Sequence, residues 1–171
     1  MNPKATTTVA VLAMFLLASA PASQPSTRPD GTFSSVQAIF DTLPPGLLPE
    51  DDSGWTSLKI EEINRDLEKT AKGKPFDLVF TVSDIRQGDR VDGYLLVGWC
   101  MARKRQVAVG IALPRTDRTR EVLSTVDANS SVSARGKVVR AQIIKTGGEN
   151  EIQFLVVGAA TDVKPQPKAR N

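Results

Sequence analysis

VSARGKVVRAQII, residues 132–144, alternates apolar and polar residues up to a glycine and then changes phase. Val132, Ala134, Gly136 and Val138 share one parity, which in a strand sets them on one face and Arg135 and Lys137 on the other. Beyond Val138 the apolar positions become Val139, Ala141 and Ile143. A phase change beside a glycine marks a bulge or sharp coil, which a small closed barrel needs. Two roles then stand for Arg135, Lys137 and Arg140: keeping the outer face of a barrel strand soluble, or contacting an anion or polynucleotide. The first accounts for the whole stretch without a ligand.

The flanking sequence supplies the rest of a barrel. In PFDLVFTVSDI the residues Phe76, Leu78, Phe80 and Val82 recur with period two, so a long first strand is expected. VDGYLLVGWCMA is apolar almost throughout. After the turn-like RKR, QVAVGIALP alternates Val107, Val109, Ile111 and Leu113 with small residues until Pro114; the two segments read as a hairpin. TDRTREVLSTVD offers Thr116 or Asp117 as a helix cap and Val122, Leu123 and Val126 as an apolar stripe. The opening stretch is then the fourth strand, KTGGEN a hairpin loop and EIQFLVVGA the fifth strand. Strand, strand, strand, short helix, strand, strand is the order of the five-stranded Greek-key OB-fold barrel, a mainly β class.

Ahead of the barrel, SLKIEEINRDLEKTAKGK repeats Ile60, Ile63, Leu67 and Ala71 at helical spacing, with Thr56 or Ser57 to cap it and Gly73 to end it. A Glu61–Arg65 pair is expected on its outer side. Between Phe33 and Trp55 a short helix should precede an irregular arm, because Pro44, Pro45 and Pro49 forbid a long one. Phe40, Leu43, Leu47, Leu48 and Trp55 are expected to pack on the barrel. The Pro- and Ser-rich segment Ser23 to Gly31 and the tail PQPKARN have little apolar surface to bury and read as linkers.

EEINRDLEKTAKGKPFDLVFTVSDI resembles the helix, Gly-Lys and first strand that open the tRNA-anticodon-binding-like group of OB-fold domains found in small exported bacterial proteins, and ANSSVSARGKVV is similar to that group's fourth-strand pattern. The resemblance covers Thr56 to Val163 and implies nucleic-acid binding by analogy of fold. Asn129 stands where such domains often carry glycine, and asparagine also takes left-handed turn positions. No binding or catalytic residues carry over.

The N-terminus points to export. Lys4, the apolar run Val9 to Ala18 and Ala20-Pro21-Ala22 form a signal-peptide pattern cut after about Ala22, and the run is shorter than the ~20 residues a membrane span requires. The expected organisation is a leader at residues 1–22, an arm at 23–55, the barrel with its leading helix at 56–163 and a basic tail at 164–171. The expected location is the periplasm or the cell exterior. Cys100 is the lone cysteine, so no intramolecular disulfide is possible. The formal charge of +3 falls to +2 without Lys4, and to −1 without Lys164, Lys168 and Arg170. The basic balance thus belongs largely to the tail, which weakens composition as an argument for a nucleic-acid partner.

Polynucleotide-binding OB barrels use a basic groove and aromatic platforms on strands two and three, flanked by the loops between strands one and two and strands four and five. Arg86, Tyr94, Trp99, Arg103, Arg105 and Lys145 are the candidate contact residues here, with Arg90 and Lys104 beside them. Tyr94 and Trp99 have opposite parity, so a regular strand turns one of them inward. Asp89 and Asp92 lack the acidic spacing of a calcium loop and read as a solvated turn.

Catalysis finds little support. The chain has no histidine, and Cys100 sits in an apolar strand that would raise its thiol pKa. The expectation is an exported, non-enzymatic binding or interaction module that needs no cofactor or metal, with a protein or a polyanion (glycan or nucleic acid) as partner. Single-stranded nucleic-acid binding and structural protein–protein pairing are its more specific forms.

Overall fold

The computed structural model describes residues 27–28, 30–50, 54–87, 93–146 and 152–167. The expected leader, the Asp89/Asp92 turn with Arg90, the Gly147–Gly148 pair and the tail residues Lys168 and Arg170 lie outside them. The elements run α1 (Val36–Phe40), α2 (Ser57–Ala71), β1 (Pro75–Gln87), β2 (Gly93–Ala102), β3 (Arg105–Pro114), α3 (Asp117–Leu123), β4 (Ser131–Lys145) and β5 (Ile152–Pro165). The strands close in the order β1-β2-β3-β5-β4. Neighbours pair antiparallel except β3 and β5, which are parallel because α3 carries the chain across to β4 before β5 returns. That closure is the OB-fold.

The alternation in each strand fills the barrel. Phe76, Leu78, Phe80 and Val82 of β1, Val107, Val109, Ile111 and Leu113 of β3, and Val132, Ala134 and Val138 of β4 are buried. β4 changes phase as expected, with Ala141 and Ile143 buried, but Val139 does not join them and is 48% exposed. The cause is a register shift: Val138 pairs with Gly158 and Arg140 with Val157, so Val139 is the extra residue of a bulge and turns outward with Arg140. A second shift falls between Arg135 and Gly136, where β5 contributes the extra residue. A side chain at Gly136 would place Cβ 2.0 Å from the Ala159 carbonyl oxygen, so this glycine is required by the close approach of β5.

α2 buries Ile60, Ile63, Leu67 and Ala71, is capped by the Thr56 hydroxyl accepting from the Lys59 amide, and is followed by Gly73 at φ +77°. Its ion pairs are Lys59–Glu62 and Lys72–Glu68 rather than the expected Glu61–Arg65. Asn64 fastens it to the barrel: its Nδ2 donates to the Ile143 carbonyl (2.9 Å) and its Oδ1 accepts from the Ile143 amide (2.6 Å). Asn129 takes φ +67° ahead of β4, the left-handed turn the sequence predicts.

The N-terminal arm is part of the core. Phe40, Leu43, Leu47 and Trp55 are buried, and Phe154 of β5 meets the Phe40 ring at 4.9 Å and the Trp55 ring at 5.8 Å, both edge to face. The linker expectation is corrected at residues 27–28 and 30–31: Thr27 bridges Phe33, and Phe33 bridges Phe76 in parallel, extending the sheet beside β1. Buried Phe33 anchors this segment, an apolar contact the Pro/Ser composition does not reveal. The tail expectation is likewise corrected at Lys164, which pairs with Ser133 because β4 starts early enough to offer a partner.

Candidate functional site

The buried residues of β2 are Gly93, Leu96, Gly98 and Ala102, while Trp99 and Met101 face out, 36% and 60% exposed. Trp99 is flanked by Ala108 of β3 and Thr81 of β1 in the pairing register. Its cross-strand neighbours are thus small side chains, and about a third of the residue is left exposed. Just beyond, β1 bulges between Val82 and Asp84, and the extra residue Ser83 turns outward, its hydroxyl donating to the Val97 carbonyl at 3.0 Å.

These features frame a groove of about 680 Å³ on the outside of the barrel. Ser83 forms one wall, Val97, Gly98 and Trp99 the next, Arg105, Gln106 and Ala108 of β3 the floor, and Thr146, Ile152 and Gln153 the end where β4 passes to β5. The surface is aromatic and polar, with Arg105 as the formal charge among its lining residues. Arg105 also reaches toward the arm, its guanidinium carbon 5.7 Å from the Trp55 ring centre. That contact, worth about 0.5–1 kcal/mol at a partly exposed site, orients the cation beside the groove.

The six candidate residues divide. Trp99 and Arg105 line the groove together, and exposed Lys145 ends β4 next to Thr146 at its rim. Arg103 turns away: its amide donates to Gln37 Oε1 (2.6 Å) and its guanidinium pairs with Asp41 (2.8 Å), both on or beside α1. It is held there because Arg103 and Lys104 form the two-residue β2–β3 turn with φ +49° and +62°. Tyr94 lies at the other end of β2, packed against the core, and Arg86 sits near it, its Nε 2.6 Å from Asp84 Oδ2. The Arg86 hydrogen bond holds the Asp84 carboxyl below its ordinary range. A bulge does lie opposite Gly98, but its extra residue is in β1, so β2 keeps its alternation and Tyr94 and Trp99 stay on opposite faces.

Ser83, Gln106, Thr146 and Gln153 are the polar groove residues that the sequence did not point to. Gln106 was legible, since it has the outward parity of QVAVGIALP; Ser83 was not, because only the bulge brings it round. Cys100 is half-buried, and burial pushes its thiol up to about 11, which disfavours the thiolate at neutral pH.

The sequence matches no protein-family model and no curated protein. Among solved structures, the barrel is similar to the mitochondrial single-stranded DNA-binding protein Rim1 of S. cerevisiae, with 8% identity and a TM-score of 0.40 over 55% of this chain and 95% of that one. It is similar to the second single-stranded DNA-binding protein of Mycobacterium smegmatis, with 20% identity and a TM-score of 0.34 over 57% of this chain and 93% of that one. The aspartyl-tRNA synthetase of Entamoeba histolytica aligns over 72% of this chain and 24% of its own length, with 14% identity and a TM-score of 0.38. Among the described residues, no helix is long and apolar enough to cross a membrane.

Proposed function

We propose that this protein is a non-catalytic OB-fold binding module that holds single-stranded nucleic acid in the β2–β3 groove. The observation that carries the reading is the outward Trp99, which presents an indole face between small neighbours beside Arg105. One base stacks on Trp99, and the adjoining phosphates meet Arg105 and Lys145. A single stack contributes about 1–3 kcal/mol. With two cations in reach, affinity should fall with salt at a log–log slope of only about −1.4. The protein is thus a weak, stacking-dominated binder. Taking residues 1–22 as an export signal, it would meet its ligand outside the cytoplasm.

The test is fluorescence anisotropy of a labelled oligodeoxythymidylate with wild type, Trp99→Ala and Tyr94→Phe. Trp99→Ala should weaken binding about 5- to 150-fold, the equivalent of that stack, while Tyr94→Phe leaves it unchanged. Equal affinities for all three proteins would refute the site.

A second reading, a protein partner on the same face, is favoured by Met101 beside Trp99 and by the partly exposed Leu95 and Val97 facing Ala112 and Gly110 across the strand pair. Light scattering over a dilution series separates the two: a mass above the monomer that falls on Met101→Glu would support pairing through this face.

A further inference from the structure

A second pocket, of about 510 Å³, opens where β1, β4 and β5 meet the N-terminal arm, and it shares no lining residue with the Trp99 groove. Its apolar side is Pro75 and Ala159, backed by Phe76, which is itself buried in the core. Its polar side is built around one carboxylate: Asp77 Oδ2 receives Arg28 Nη2 at 3.0 Å and Arg135 Nε at 3.1 Å. Asp77 is 11% exposed at the side chain, whereas Arg28 and Arg135 are 50% and 62% exposed. Lys137 lines the same pocket.

The arrangement is held in place by backbone. Asp77 and Arg135 are register partners in the β1–β4 ladder. The Phe33 amide donates to the Pro75 carbonyl (3.0 Å) and the Asp77 amide to the Phe33 carbonyl (2.9 Å), which fixes the arm that delivers Arg28. One negative charge thus faces three positive ones. Asp162, the neighbouring carboxylate on β5, pairs instead with Arg118 (3.6 Å) and Lys164 (3.4 Å). Each guanidinium carries five N–H donors and gives one nitrogen to Asp77, so donors remain to face the pocket. Fixed cations beside an apolar wall form a receptor for an oxyanion joined to a small apolar group.

We propose that this pocket binds a small organic anion, a phosphate or carboxylate ester-sized group with an apolar body, through Arg28, Arg135 and Lys137. It is independent of the nucleic-acid groove.

Calorimetric titration of the protein with phenyl phosphate, inorganic phosphate and phenol tests it. Phenyl phosphate should bind saturably and more tightly than either fragment. Arg135→Ala should weaken it about 10- to 100-fold, as loss of one charge-assisted contact does, and Arg135→Lys should restore part of the affinity. Arg140→Ala, an exposed cation on the same strand outside the pocket, and Trp99→Ala should change nothing. The site is overturned if phenyl phosphate fails to saturate, if it binds no better than inorganic phosphate, or if Arg135→Ala and Arg140→Ala behave alike. Circular dichroism of each variant shows whether a loss comes from unfolding; should Arg135→Ala unfold, Lys137→Ala carries the same prediction.

Discussion

The outside of this barrel carries two unlike surfaces. Around β2 and β3 it is aromatic and small, with Trp99 beside Ala108, Met101 beside Gln106 and Arg105 at one edge. Around β1 and β4 it is cationic, with Arg28, Arg135 and Lys137 gathered near Asp77. The residues that suggest nucleic acid by charge and the residue that would stack a base therefore lie on different faces. An overall basic balance cannot report on either one: the binding proposed for the groove rests on stacking, and that proposed for the pocket on fixed cations.

The comparison breaks hardest at the arm, which braces the end of the barrel next to the groove. Trp55 packs edge to face on Phe154 and lies under Arg105. Trp55→Ala should cost about 3–5 kcal/mol in chemical denaturation, as large-to-small core changes do. A loss below ~1 kcal/mol would mean that the arm only rests on the barrel. Trp55→Ala should also remove the cation–π contact to Arg105 and weaken binding in the groove.

A smaller effect is expected where α2 meets β4. Asn64→Ala removes both hydrogen bonds to the Ile143 backbone and leaves those groups short of partners, a cost of about 1–3 kcal/mol in the same measurement. Asn64→Asp should restore little of it, since a carboxylate can accept from the Ile143 amide but cannot donate to its carbonyl.

Cys100 sharpens the picture from inside β2. With its thiol pushed up to about 11 by burial, it should resist iodoacetamide at pH 8 in the native protein and react once unfolded. The sign of the linkage follows. The folded pKa lies above the unfolded one, so this group's contribution is intact below about pH 9 and is lost as pH rises through 11. Denaturant midpoints across that range, for wild type and Cys100→Ser, isolate it. The smallest change expected is a gain. Lys104 holds φ +62° in the β2–β3 turn, and Lys104→Gly should stabilise by about 0.5–1 kcal/mol, seen as a higher melting temperature, with Arg103 still paired to Asp41.

How much of this was legible follows from periodicity. Alternation in PFDLVFTV and QVAVGIAL assigned the inward faces of β1 and β3 directly, and helical spacing assigned α2. What depended on bulges was not assigned: Val139 shares the parity of Ala141 and yet turns outward, and Ser83 reaches the groove only because β1 gains a residue there. Long-range pairing hid the rest. Arg103 looks like a free turn cation until α1 captures it, and Arg28 looks like linker until Phe33 lays the arm beside β1.

The most direct measurement is amide and indole chemical-shift mapping of the isotope-labelled protein with an oligodeoxythymidylate. The account predicts that shifts concentrate at Ser83, the Trp99 indole, Arg105 and Gln153, while Arg135 and Lys137 stay unmoved. Shifts centred on Arg135 and Lys137, with the Trp99 indole unchanged, would contradict it.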